Sequence, residues 1–257
     1  MIRIKTYLKG GTGIVKLKSK LTEPVNGNSL SSTELPMSKK EISCLQPMIS
    51  DGDNGGFQKP VINVGFPKMG TSSLTIFFEC GNIKSSHYKC KDGSSGKRIP
   101  CGVCMNQAVA KGKPPLQSCG GFEFYGEMNY VTKPPCYWPQ IDLLDEIHEE
   151  APNATLILVF RDIKSWITSI RHSKGMKVTH YFALSQYCKI GSTDAELETF
   201  FCNQVIRIRH FVKNHPSHRL VELKLEDTES TSDILFKEFG IDQGCWGHKN
   251  ENTKGRK

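Results

Sequence analysis

The chain has 257 residues, a formal net charge of +8 and 37% hydrophobic residues. This length accommodates one substantial domain with tails, and it favours one domain over two. No run approaches the roughly 18 apolar residues that a membrane-spanning helix needs, and the basic N-terminus lacks the apolar core of a secretory signal. We therefore expect no membrane span. The positive charge indicates a basic tail, an anionic partner or both.

Two segments differ in composition from a folded core. Residues 1–57 are rich in Ser, Gly, Asn, Lys and Pro and show no sustained apolar periodicity. We expect them to form a basic, polar and disordered N-terminal tail, with the folded domain at 58–257. Residues 89–121 hold four cysteines and many Gly, Pro and Lys, which predicts a cysteine-rich loop insert within that domain.

The rest of the chain alternates between strand and helix patterns. Continuous apolar strands between helices are typical of a parallel sheet covered on both faces, so the sequence predicts a three-layer α/β/α fold. In chain order we expect a strand at 60–66, a helix at 72–80, the insert, a helix at 141–148, a strand at 154–160, helices at 163–173 and 195–213, a strand at 219–225 and a helix at 232–239.

The turn between the first strand and the first helix has the composition of an anion-binding loop. Gly65 and Gly70 let the backbone approach a ligand, and the helix N-terminus adds positive potential. Lys68 supplies a charge, two residues before the last glycine. In nucleoside-triphosphate loops the lysine instead follows that glycine directly. Hydroxyl donors come next, at Thr71, Ser72 and Ser73.

A second anion-binding pattern follows the most apolar strand. Arg161 stands at the predicted strand end, and Ser169 lies eight residues further on, in the next helix. A guanidinium holds a phosphate through two parallel hydrogen bonds, and a hydroxyl adds another donor. The alternative is that Arg161 pairs with a carboxylate and Ser169 is a hydroxyl on the helix surface.

These motifs resemble those of sulfotransferases that use 3′-phosphoadenosine 5′-phosphosulfate (PAPS). Gly-Phe-Pro-Lys-Met-Gly-Thr-Ser-Ser at 65–73 resembles the family's 5′-phosphosulfate loop, and Arg161 with Ser169 resembles its 3′-phosphate site, although Ile163 replaces the usual proline. Lys-Gly-Arg at 254–256 resembles a late loop of the heparan-sulfate-type members. The resemblance implies donor binding by Gly65, Pro67, Lys68, Gly70, Thr71, Ser72, Ser73, Arg161, Ser169, Lys254, Gly255 and Arg256.

The resemblance implies a P-loop-NTPase-like fold and transfer of a sulfuryl group to a hydroxyl or amine, with a carbohydrate as the expected acceptor. Such transfer depends on positioning and electrostatics, and no metal is expected. Lys68 would stabilise charge on the leaving oxygen. The family takes its general base from a His or Glu near the donor, which favours His87, followed by Glu127 and Glu123.

The cysteines leave several interpretations open. Cys90, Cys101, Cys104 and Cys119 permit a zinc site, two disulfides or a CxxC redox centre. The resemblance points to a lumenal enzyme and so favours disulfides. The even total of ten cysteines and the glycosylation sequon at Asn153 also favour the secretory pathway or Golgi lumen over the cytoplasm.

Three other functions compete with sulfuryl transfer. A P-loop nucleotide or small-molecule kinase predicts a lysine after Gly70 and an acid at the strand end where Arg161 stands, with Asp162 adjacent. An inactive nucleotide-binding module would retain the same loop. Nucleic-acid binding has only the net charge in its favour, because zinc-finger spacing and RNP motifs are missing. We expect an anionic nucleotide and a hydroxylated acceptor as partners.

Overall fold

A parallel β-sheet forms the centre of the fold in a computed structural model of the chain. The structure describes residues 43–48, 57–172 and 183–247, all within the compact unit Leu35–Lys257. The strands are β1 (Val61–Asn63), β2 (Ser85–Ser86), β3 (Lys89–Lys91), β4 (Arg98–Pro100), β5 (Phe124–Tyr125), β6 (Thr155–Phe160) and β7 (Arg219–Lys224).

Helices cover this sheet. They are α1 (Thr71–Cys80), α2 (Cys101–Val109), α3 (Pro115–Ser118), α4 (Pro139–Asp142), α5 (Leu144–Glu150), α6 (Ile163–Arg171), α7 (Asp194–Asn214) and α8 (Thr228–Phe239), with a π-helical turn at Ala183–Tyr187 and a 3₁₀ turn at Gln243–Cys245. No helix of the described ranges is long and apolar enough to cross a membrane.

In the described part of the chain, five strands pair in the order β2-β5-β1-β6-β7, and every pairing is parallel. All six residues of β6 are buried, as the continuous apolar run predicts for a strand covered on both faces. The predicted α/β fold with a central parallel sheet is confirmed.

Several element boundaries differ from the prediction for local reasons. The first strand ends at Asn63, whose side-chain Oδ1 accepts a hydrogen bond from the Gly65 amide (3.1 Å) and turns the chain. The helix expected at 141–148 is divided into α4 and α5, because Leu143 has the non-helical angles φ −125° and ψ 25°. The last helix begins early, at Thr228, where the Asp227 side chain caps it.

The insert contains more regular structure than its composition indicates. The strands β3 and β4 form a separate antiparallel hairpin, and α2 and α3 follow it. Two disulfides, Cys90–Cys101 and Cys104–Cys119, fasten these elements together. The insert cysteines are therefore paired, which excludes the zinc and CxxC interpretations in this structure. No group of side chains suited to a metal occurs among the described residues.

The remaining cysteines connect distant parts of the chain through Cys80–Cys245, Cys136–Cys188 and Cys44–Cys202, so that all ten are paired. The last of these disulfides attaches residues 43–48 to α7. The N-terminal tail proposed for residues 1–57 otherwise lies outside the described residues, apart from Phe57, and its boundary remains a prediction.

The loop after β1 is anchored in the core by an aromatic cluster. Phe66 is 1% exposed, and its ring centroid lies 4.7 Å from that of Phe200, 5.7 Å from Trp138 and 5.8 Å from Trp166. Aromatic contacts at these separations stabilise beyond their buried area. The cluster therefore ties the loop to α6 and α7 on one face of the sheet.

Candidate active site

The candidate site lies at the carboxyl edge of the sheet. Parallel strands all end on the same edge, where α/β proteins bind their ligands. Each strand is followed within two residues by a polar residue or, after β1, by the anion-binding loop. These features are the 65–73 loop after β1, His87 after β2, Glu127 after β5, Arg161 after β6 and Glu226 after β7.

The 65–73 loop has a backbone shaped for close approach to a ligand. Lys68 and Gly70 have φ angles of 69° and 76°, in the left-handed region that a lysine rarely adopts. The φ angle favours glycine at position 70, and a Cβ there would lie 2.7 Å from Leu225 Cδ1, so that the leucine side chain would also have to shift. Thr71 then begins α1, whose first amides lack intrahelical partners and can bind an anion.

Four backbone carbonyls at the start of this loop and just before it accept hydrogen bonds from side chains of other elements. These bonds fix the path of the loop from outside its own sequence. The donors are Gln204 Nε2 to Val64 (3.1 Å), Gln140 Nε2 to Gly65 (3.2 Å), Trp166 Nε1 to Pro67 (3.1 Å) and Arg161 Nη1 to Lys68 (2.7 Å).

Two of the three predicted catalytic residues, His87 and Glu127, meet at one hydroxyl. Thr71 Oγ1 lies 3.0 Å from His87 Nε2 and donates to Glu127 Oε2, also at 3.0 Å. His87 Nε2 is in turn 3.4 Å from Glu127 Oε2 and 3.5 Å from Ser72 Oγ. The side chain of His87 is 39% exposed and that of Glu127 is 12% exposed. A titratable pair therefore adjoins the start of α1.

Arg161 faces the 65–73 loop from the end of β6. Burial lowers its pKa, while the nearby carboxylates of Glu226 and Asp162 act in the opposite direction. The Glu226 Oε1 atom is 3.8 Å from Arg161 Nε, and that buried Nε has no hydrogen-bond partner among the described residues. A partly buried guanidinium whose Nε is unpaired suits an incoming anion.

Ser169 lies on the inner side of α6, with 8% of its surface exposed. The alternative that Ser169 is a surface hydroxyl is therefore wrong. The alternative that Arg161 pairs with a carboxylate is only partly correct. Its contact with Glu226 is long (3.8 Å), and the Lys68 carbonyl is the closer partner (2.7 Å).

A family model described as a sulfotransferase domain matches residues 60–226, which is more than half of the chain. The chain belongs to this sulfotransferase family. The matched range contains the 65–73 loop, His87, Glu127, Arg161 and Ser169. The predicted family is thus confirmed, and with it the general activity of a sulfuryl-transferring enzyme. A comparison with curated proteins finds no match.

One candidate base of this sulfotransferase is placed away from the site. Glu123 precedes β5, at the amino edge of the sheet, where it accepts hydrogen bonds from Lys59 Nζ (2.6 Å) and the Lys84 amide (3.0 Å). These bonds lower the pKa of Glu123. The ranking of Glu123 as a possible base is wrong, because residues before and after a short strand emerge at opposite edges.

The structure also shows site residues that the sequence analysis missed. Gln140, Gln204 and Trp166 act on backbone carbonyls, so no motif marks them, and Glu226 follows a strand whose end resembles any other. Lys254, Gly255 and Arg256, which were expected to bind the donor, lie outside the described residues.

Proposed function

We propose that the protein transfers a sulfuryl group from PAPS to a hydroxyl or amine, with a carbohydrate as acceptor. The observation that carries this proposal is the contact of Thr71 with both His87 and Glu127. Through that contact, the loop that would hold the phosphosulfate adjoins the pair that would take the acceptor proton.

The donor is assigned to two anion-binding regions. Lys68, Thr71, Ser72 and Ser73, with the first amides of α1, suit the 5′-phosphosulfate. Arg161 and Ser169 suit the 3′-phosphate, and the unpaired Arg161 Nε supports this assignment. Gly65, Pro67 and Gly70 shape the loop. Lys254, Gly255 and Arg256 remain further candidates by resemblance.

The reaction follows from these positions. The acceptor oxygen or nitrogen forms a bond to sulfur while the bond between sulfur and the bridging phosphate oxygen breaks, and the electron pair stays on that oxygen. The Lys68 ammonium stabilises the charge that develops there. The acceptor proton passes to the His87–Glu127 pair, and adenosine 3′,5′-bisphosphate leaves.

The two members of the pair have different roles. His87 is the more exposed, and its Nε2 faces Thr71 and Ser72, so we assign His87 as the group that first receives the proton. Glu127 lies deeper, and its carboxylate balances the positive charge of the imidazolium. This arrangement follows the general pattern of a base oriented by a third group.

The kinase alternative finds less support in this site. Asp162, the acid nearest the end of β6, accepts a hydrogen bond from the Ser165 amide (2.8 Å) and caps α6. Its carboxylate is therefore occupied by the helix terminus. An inactive nucleotide-binding module is opposed by the His87–Glu127 pair, which donor binding alone does not require.

We also propose a lumenal location in the secretory pathway, such as the Golgi. The five disulfides support this location, because such bonds persist in oxidising compartments. Asn153 of the sequon is exposed in a turn before β6, which suits a glycosylated protein.

Calorimetric titration with adenosine 3′,5′-bisphosphate tests the donor assignment, with 5′-AMP and ATP·Mg²⁺ as comparisons. We expect micromolar binding of the bisphosphate, at least tenfold weaker binding of 5′-AMP, and a loss of about tenfold or more in Arg161→Ala, because a charge-assisted contact is removed. Arg171→Ala, at an arginine paired with Asp194 on the α6 surface, serves as the control. Preference for ATP·Mg²⁺ would contradict the proposal.

A further inference from the structure

The β3–β4 hairpin begins two residues after His87 in the chain. An extended chain advances about 3.4 Å per residue, so Lys89 and Lys91 lie at most about 7 and 14 Å along the chain from that candidate base. The hairpin is fixed to the domain, because Cys90 bonds to Cys101 and the Tyr88 carbonyl accepts from the Cys101 amide (3.0 Å). The side chains of the hairpin are therefore held in a fixed position close to His87, where the acceptor would bind.

One face of this hairpin carries three cations beside Pro100. Lys89 and Lys91 share a face because side chains alternate along a strand, and Arg98 joins them because it pairs directly with Lys91. All three are exposed. The opposite face holds Cys90, which is fully buried, and Ile99, which packs against the core. We name Lys89, Lys91 and Arg98 the cationic face.

The cationic face has no acidic partner in the described structure. The acidic residue nearest to these cations in sequence is Asp92, whose carboxylate accepts hydrogen bonds from the amides and hydroxyls of Ser94 and Ser95. Those bonds lower the pKa of Asp92 to about 2. Lys91 and Arg98 lie directly opposite each other, and like charges in that register destabilise a hairpin. A bound anion would relieve this repulsion.

We propose that the cationic face binds anionic groups of the acceptor, and that the acceptor is therefore a carbohydrate chain bearing carboxylate or sulfate groups. This inference rests on the proposed function and deepens it, because it specifies that the acceptor is negatively charged and is a chain of several sugars. A hydroxyl at His87 and acidic groups further along the same chain would occupy both regions together. Such contacts add electrostatic steering and selectivity against neutral chains.

Two other polyanions fit the cationic face less well. Surfaces that bind single-stranded nucleic acid combine cations with aromatic side chains that stack on bases, and β3 and β4 carry no aromatic residue. Surfaces that bind membranes place apolar side chains beside the cations. In this hairpin Cys90 and Ile99 pack toward the core instead, and Pro100 is the one apolar residue of β3 and β4 on the cationic face.

The test compares two triple variants that remove the same charge. Lys89→Gln/Lys91→Gln/Arg98→Gln eliminates the cationic face. Lys111→Gln/Lys113→Gln/Lys237→Gln removes exposed lysines of the α2–α3 turn and of α8. Fluorescence anisotropy would measure binding to labelled hyaluronan, a carboxylate-bearing polysaccharide, and to dextran, a neutral one, in the presence of saturating adenosine 3′,5′-bisphosphate and at two salt concentrations.

We expect the full-length protein to bind hyaluronan in preference to dextran, with affinity that falls as salt rises. The cationic-face variant should bind hyaluronan about tenfold or more weakly, and the control variant should retain its affinity. Equal binding of dextran, or equal losses in both variants, would overturn the proposal. Tighter binding of tRNA or of phosphatidylserine vesicles, lost in the same variant, would overturn the carbohydrate assignment.

Calorimetry with the bisphosphate separates this proposal from the proposed function. Both triple variants should bind the bisphosphate as the unsubstituted protein does, since none of their substitutions touches the donor residues. Absence of bisphosphate binding in folded protein would reject the donor assignment, and the hyaluronan measurements, repeated without nucleotide, would still decide whether the cationic face binds an acidic carbohydrate.

Discussion

His87 and Glu127 contact the same threonine hydroxyl, but they differ in depth and in their other neighbours. His87 is open to an entering acceptor, whereas Glu127, in the loop after β5, is largely buried. A carboxylate held beside an imidazole stabilises the protonated ring and fixes its orientation. The removal of either side chain should therefore affect catalysis more than donor binding.

We expect His87→Asn to lower kcat by about 10² to 10⁴, the usual contribution of a general base. Glu127→Gln should have a smaller effect, of about tenfold or more, because it removes a charge that acts through His87. Transfer of radiolabelled sulfate from PAPS to an acidic polysaccharide would measure both. Glu123→Gln is the matched control, since Glu123 lies at the opposite edge of the sheet. Full activity of His87→Asn would reassign the base to Glu127.

The sequence predicted those site residues that belong to a motif or stand where the related family places its base, and it missed Glu226 after β7. Lys68 and Thr71 belong to the 65–73 loop motif, and Arg161 stands at the end of the most apolar strand. His87 was selected for its place after the first helix. Gln140 and Gln204 were missed, because a glutamine that binds a backbone carbonyl across 64 or more residues of sequence separation leaves no local pattern.

The elements α4 and α7 together control the path of the 65–73 loop. Gln204 on α7 donates to the Val64 carbonyl and to the Gln140 carbonyl (2.9 Å), and Gln140 on α4 donates to Gly65. Gln204 is 1% exposed, so its bonds have no competition from water. The loop thus depends on helices that contribute no side chain to the proposed donor contacts.

We expect Gln204→Ala to weaken bisphosphate binding by about tenfold and to lower the free energy of unfolding by about 1–3 kcal/mol, because two buried carbonyls lose their donor. Calorimetry and urea denaturation would measure the two effects. Gln243→Ala, at an exposed glutamine that bonds to Asp233 on α8, is the control. Unchanged binding in Gln204→Ala would show that the loop keeps its path without this contact.

Elements with strong patterns were predicted well, and short or tertiary-dependent elements were not. The apolar run at 154–160 became β6 almost residue for residue. The strands β2 and β5 have only two residues each, which is too short for any periodicity, and they are defined by pairing with neighbours. The helix α2 was hidden in a segment whose glycines, prolines and cysteines indicate loops.

At the scale of the whole molecule, a histidine cluster connects α5, the end of α7 and the start of β7. His218 Nδ1 donates to the Ala154 carbonyl (2.9 Å), and its Nε2 is 2.9 Å from His148 Nδ1. The His215 ring lies 4.1 Å from that of His148, and Asp145 is the acid that interacts with His215. Burial and the mutual repulsion of these rings lower the pKa of His215 and His218.

This cluster should make folding stability depend on pH. Because the folded pKa values are lowered, the unfolded chain binds protons first as pH falls below about 6.5, and stability is lost in that direction. We expect Tm to fall between pH 7.5 and pH 5.0. His218→Asn keeps a donor for Ala154 and cannot titrate, so its Tm should fall less, whereas His172→Asn, at an exposed histidine, should behave as the unsubstituted chain. An equal fall in all three proteins would argue against the cluster.

The strand order β2-β5-β1-β6-β7 separates the proposed donor site from the proposed acceptor site on two halves of one sheet. The donor is assigned to the loops after β1, the central strand, and β6, its neighbour on one side. The His87–Glu127 pair and the cationic face are assigned to β2, β5 and the insert, on the other side of β1. Thr71 and Ser72, at the start of α1, join the two groups, because both hydroxyls lie within 3.5 Å of His87 Nε2 and Thr71 also donates to Glu127. Because the insert contributes none of the proposed donor residues, a change in the insert would alter the choice of acceptor without altering the donor site.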